Sequence, residues 1–165
     1  MKKILIAIIA IFLSVHVMAQ GTLSFPFQGG KTVMNQFFRD SLMVSHDIVR
    51  QKATGVVVFK FTADEQGRIS KIIIYYADDH VLVSPVIDAL KKSNHKWIIP
   101  DHEKFHDFIL PFSFNFNPTA VVTANIRKAV YNYHLSRKPI ATNDQVPLDL
   151  ATLLPMVMVN YDITE

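Results

Sequence analysis

From Gly55 to Tyr76 the chain carries two runs of alternating side chains separated by Asp64-Glu65-Gln66-Gly67, and this pattern admits little besides a β-hairpin. In the first run Val57, Phe59, Phe61 and Ala63 alternate with Val56, Val58, Lys60 and Thr62. Successive side chains of a strand point to opposite faces, and β-branched and aromatic residues suit that half-buried surface. The intervening residues are turn formers, with Gly67 free to take the positive φ that such a loop requires. Ile69–Tyr76 returns, with Ile69, Ile73 and Tyr75 expected on one face. A hairpin cannot bury its apolar face alone, so the rest of the chain must cover it.

The flanking segments supply the cover. Val33, Met34, Phe37, Phe38 and Leu42 recur at the spacing of one helix face, with Lys31, Gln36, Arg39 and Asp40 opposite. His46–Lys52 reads as a short helix that Gly55 ends. Ser84-Pro85 reads as an N-cap followed by proline at the first helical position, with Val86, Ile87, Ala89 and Leu90 as the buried stripe and Lys91-Lys92 in the last turn. Phe108, Leu110, Phe112, Phe114 and Phe116 share a face of a third strand, Phe105–Phe116. Pro111 inside it lacks a ladder donor, which confines the strand to an edge or a bulge, and a three-stranded sheet makes it the edge strand. The order helix, strand, strand, helix, strand gives an α+β fold: a small antiparallel sheet of about three strands with two helices on one face. Residues 117–165 form an extension, with a helix expected over Val121–Leu135 and a short strand over Pro155–Tyr161.

The N-terminus is of another kind. Lys2 and Lys3 precede Ile4–Leu13, ten residues without a charge, and Val17-Met18-Ala19 offers small residues for a cut before Gln20. This is the pattern of a secretory signal peptide over residues 1–19, and the run is short of the ~20 apolar residues that span a membrane. Export to the periplasm or cell envelope is therefore expected, with no stable span after processing. Loss of Lys2 and Lys3 leaves 15 of the 17 basic residues against 14 acidic ones, so no block of charge remains to hold nucleic acid. The chain has no cysteine, which excludes disulfides, thiolate metal sites and thioether lipidation.

One motif bears on catalysis. His102-Glu103-Lys104-Phe105-His106 fits H-E-x-x-H, in which two histidines on one helix face hold zinc and the glutamate activates water. Ile109 and Phe112 stand where the extended pattern has a glycine and a third histidine. No acidic residue occurs between Asp107 and Asp144, and His134 is the one further histidine in that interval. Pro100 and the strand-like alternation around Pro111 also oppose a helix here. Two exposed histidines in a loop entering a strand are the simpler expectation, and a small zinc hydrolase using His102, Glu103 and His106 is the alternative. Asp64-Glu65 and Asp78-Asp79 read as turns, and Trp97 as a core residue. No cofactor is implied.

Phe27-Gln28-Gly29-Gly30, the helix to Leu42, Gly55 opening the first strand, and Asp64-Glu65-Gln66-Gly67-Arg68 at the hairpin occur in a recognisable order. Ala89-Leu90 with Trp97 and Pro100, and Ile109-Leu110-Pro111-Phe112-Ser113-Phe114 on the third strand, continue it. In that order residues 27–116 resemble the C-terminal domain of TonB energy transducers, in the form common in Bacteroidetes-type chains. Val44-Ser45 replace a usual Tyr-Pro pair, the Pro-rich linker has no room, and residues 117–165 have no counterpart. The resemblance implies a domain over 20–116 that binds protein rather than turning over a substrate, linked to TonB-dependent transport. Its partner would be another envelope protein or an extended peptide, added as a strand along Ile109, Leu110, Pro111, Phe112, Ser113 and Phe114. A homodimer through a free sheet edge is a further expectation.

Overall fold

Gly55–Asp64 forms strand β1 and Ile69–Ala77 forms β2, paired antiparallel as the alternation requires. The computed structural model describes residues 25–117, 121–142 and 150–163; the expected signal peptide and its cleavage point lie outside these. Gly67 closes the turn at φ 71°, and its carbonyl accepts from the His95 N–H at 2.8 Å. A Cβ added there would stand 2.5 Å from the Trp97 carbonyl oxygen, so the hairpin turn presses on the 95–97 backbone where only glycine fits.

The helices follow in the expected places. Helix α1 spans Gly30–Ser41 and α2 spans His46–Gln51, the latter capped by the Ser45 hydroxyl. Helix α3, Val83–Lys92, begins one residue before Ser84, which is therefore inside the first turn and not its cap. Asp79 instead caps a 3₁₀ turn, His80–Leu82, that leads into the helix. Strand β3, Phe105–Phe116, lies antiparallel to β1 over ten consecutive pairs from Gly55↔Phe114 to Asp64↔Phe105. Val57, Phe59, Phe61, Phe108, Leu110, Phe112 and Phe114 all point to the helical side and are fully buried there. Phe38 meets Phe112 edge-on at 5.3 Å, and Trp97 lies 4.5 Å from Phe61, its indole N–H bonded to Ser93 Oγ.

Two expectations are corrected. The core-side residues of β2 are Ile69, Ile72 and Ile74, not Ile69, Ile73 and Tyr75. The register skips Ser70 and Tyr75, two bulges that each flip the alternation by one residue. The sheet is also not a three-stranded antiparallel one. It has six strands and is mixed, with four helices among the described residues. After helix α4, Ala124–Ser136, strand β4, Ile140–Ala141, adds antiparallel to Tyr76 and Ala77 of β2. Strands β5, Thr152–Leu153, and β6, Val157–Tyr161, then lie end to end on the outer side of β3, parallel to it. The order is β4-β2-β1-β3-β5, with β6 beside β3 as well. The extension thus completes the sheet: Leu154, Val157, Val159 and Tyr161 join the same core.

Candidate functional site

Pro111 explains how β3 comes to be flanked on both sides. The Ile109 carbonyl accepts from the Leu154 N–H at 2.8 Å, and the Asn117 N–H donates to the Tyr161 carbonyl at 3.0 Å. Odd-numbered residues of β3 therefore turn their backbone groups toward the C-terminal segment, and Pro111 is among them. Its missing donor falls in the gap between β5 and β6, opposite the stretch where the segment carries Pro155. The β1 side uses the even-numbered residues and runs without a break. Proline did mark a side of the strand that cannot carry a full ladder, but that side is occupied by two short pieces of the chain's own tail and is not the free edge of the sheet. The six residues Ile109, Leu110, Pro111, Phe112, Ser113 and Phe114 accordingly lie inside the sheet. Phe112, Ser113 and Phe114 pair with Val157, Met158 and Val159.

The H-E-x-x-H residues sit at the start of this strand and not on a helix. His102 is in a turn with φ 72° and is exposed, Glu103 follows it, and His106 is the second residue of β3. His106 is buried, contrary to the expectation of two exposed histidines. Its Nδ1 is 2.7 Å from Glu103 Oε2, and its Nε2 is 2.7 Å from Thr152 Oγ1 in β5. With both ring nitrogens engaged, the imidazole has no lone pair directed at a site shared with His102. Among the described residues, no group of three or more His, Asp or Glu side chains is placed to hold a metal ion. The order hydroxyl, imidazole, carboxylate is that of an activated nucleophile. Here the same two bonds fasten the first piece of the tail to β3, and the ring packs edge-on against Phe108 at 4.8 Å. Thr152 was not legible in the sequence, where it is one threonine 46 positions from its partner.

On the opposite face of the sheet, Lys60 of β1 is only 2% exposed and pairs with Asp107 of β3 at 2.8 Å, while the Thr62 hydroxyl donates to the same carboxylate at 2.6 Å. Burial works to raise the Asp107 carboxyl, but the Lys60 ammonium and the Thr62 hydroxyl outweigh it and hold it below its ordinary value. At the far end of the sheet Asp78 accepts from the Val56 N–H and from the Tyr76 hydroxyl, each at 2.7 Å. The Tyr161 hydroxyl at the end of β6 donates to the Ala53 carbonyl at 2.7 Å, which pins the last strand to the loop before β1.

No family model, no curated protein and no solved structure matches the chain.

Proposed function

We propose that the chain is a protein-interaction module of the cell envelope, similar to the C-terminal domain of TonB transducers, that holds extended segments as added strands on the outer side of β3. The observation that carries this reading is the seating of residues 152–161. They reach β3 from outside the helix–hairpin–helix–strand unit and pair in parallel with it, as a separate peptide would. Main-chain bonds supply the affinity, while Val157, Val159 and Tyr161 fill the helix-side pockets. The resident strand is then the first ligand of the edge, and a partner with the same alternation competes for it. The leader-like N-terminus supports the envelope as the place where this happens.

The test is competition by the tail's own sequence. Val159→Pro removes a donor aimed at β3 and loosens β6. A labelled synthetic peptide of residues 150–163 should bind this variant saturably and the parent chain much more weakly, whereas a scrambled peptide should bind neither. A variant that keeps its helical circular dichroism yet fails to take up the peptide would overturn the reading.

A further inference from the structure

Helix α4 is apolar on two opposite sides. Ile126 and Tyr133 face the domain and are buried. Ala124, Lys128, Tyr131 and Leu135, at steps of four, three and four, share the reverse side. There Tyr131 is 63% and Leu135 70% exposed, and Val121, two residues ahead of the Thr123 cap, is 80% exposed. A surface helix ordinarily turns polar side chains outward, so this second stripe calls for a partner. The charges beside it have one sign. Between Asp107 and Asp144 the chain has no acidic residue and four cations, Arg127, Lys128, Arg137 and Lys138. Arg137 turns inward to Asp78 at 3.4 Å. Arg127, Lys128 and Lys138 are exposed, with no ion pair or side-chain hydrogen bond among the described residues. On α2, which packs against α4, Asp47 is already paired with Arg50 at 2.7 Å.

We propose that α4 is a peripheral membrane contact, lying along a bilayer surface of anionic lipid. Tyr131 and Leu135 enter between the headgroups, and Arg127, Lys128 and Lys138 reach the lipid phosphates. Three features favour a bilayer over a protein. The stripe is one convex helix face, so a rigid partner would have to supply the whole groove, whereas lipid closes around the inserted side chains. Lys128 stands within the stripe, between Ala124 and Tyr131. Its four-carbon stem runs along apolar neighbours while the ammonium reaches a phosphate, but a protein groove would have to bury that charge. Tyr131 has an apolar ring and a polar hydroxyl, which suits the headgroup level. The uncompensated cations add attraction to an anionic surface. Such a surface is what the envelope location proposed above supplies. The contact uses no group of β3, β5 or β6 and is separate from strand capture.

Co-sedimentation of the exported chain, freed of residues 1–19, with lipid vesicles tests this. Vesicles of equal parts phosphatidylglycerol and phosphatidylcholine should carry it down, pure phosphatidylcholine vesicles should not, and added salt should release it. Arg127→Gln and Lys128→Gln should each weaken binding about fivefold. Leu135→Ser should weaken it about tenfold. Melting temperatures should not change, because all three side chains are exposed. Tyr131→Trp reports position: its emission should shift to the blue on anionic vesicles, against the constant background of buried Trp97. A parent chain that stays in solution, equal uptake by neutral vesicles, or capture of an acidic protein without vesicle binding overturns the proposal. So does binding that the charge variants leave unchanged, or an unshifted emission from Tyr131→Trp. Peptide uptake at β3 is untouched by these substitutions, so either reading can fail without the other.

Discussion

Two buried tyrosines show how little the burial of a polar side chain says until its hydroxyl is traced. Tyr161 donates to the Ala53 carbonyl, whereas the Tyr133 hydroxyl in α4 is buried with no hydrogen-bond partner among the described residues. Both phenols are pushed well above the ordinary tyrosine value, chiefly by burial; Asp79 and Asp78 add to the effect at Tyr133. A hydroxyl that has given up water and found nothing costs stability, while one that has found a carbonyl returns ~1 kcal/mol. Tyr133→Phe should therefore leave the thermal midpoint unchanged or raise it. Tyr161→Phe should lower stability by about 1 kcal/mol. Paired denaturation curves decide it, and a larger loss at Tyr133 would show that its hydroxyl has a partner.

Between elements, the decisive contacts are those of β3 with the tail. His106 bridges Glu103 and Thr152, so His106→Ala should cost ~1–3 kcal/mol by breaking two partly buried bonds, whereas His102→Ala should stay within ~0.5. Equal, negligible effects in a urea titration of both variants would mean that β5 is not fastened there. The contrast between these histidines also marks where the sequence was readable. The hairpin turn, the span of β1 and that of β3 were legible because alternation and turn chemistry are local. Pro111 was legible as a missing donor, but which side it faced was not, since that depends on a tail that arrives some forty residues later. A two-residue strand such as Thr152–Leu153 has no periodicity to detect, and bulges at Ser70 and Tyr75 leave no compositional trace. Of the candidate site, the acceptor strand was visible and so was a terminal strand over Pro155–Tyr161; what local pattern did not fix was that the second pairs with the first.

At the scale of the whole molecule, charge sets the range over which the six-stranded sheet holds together. Asp107 is kept below its ordinary value by Lys60 and Thr62 against the opposing effect of burial. Asp64 is likewise lowered, with burial outweighed by the Arg68 N–H and guanidinium and the Gln66 N–H at the hairpin turn. A depressed folded-state value means that the stabilisation is present above the unfolded carboxylate range, near pH ~4, and is lost as pH falls through the lower folded value. The tyrosines work at the other end. Their raised values give stability that is present below pH ~10 and lost as pH rises beyond it, because the phenols of the unfolded chain ionise there while burial keeps Tyr133 and Tyr161 neutral in the fold. Unfolding free energy should thus be flat between about pH 5 and 9 and fall on both sides. Asp107→Asn should lower the plateau and flatten the acid limb. Tyr133→Phe with Tyr161→Phe should flatten the alkaline limb alone, because the two limbs belong to opposite ends of the sheet. Urea midpoints measured from pH 3 to 11 check both, and an alkaline limb of the same slope in the double variant would show that the buried phenols do not set it.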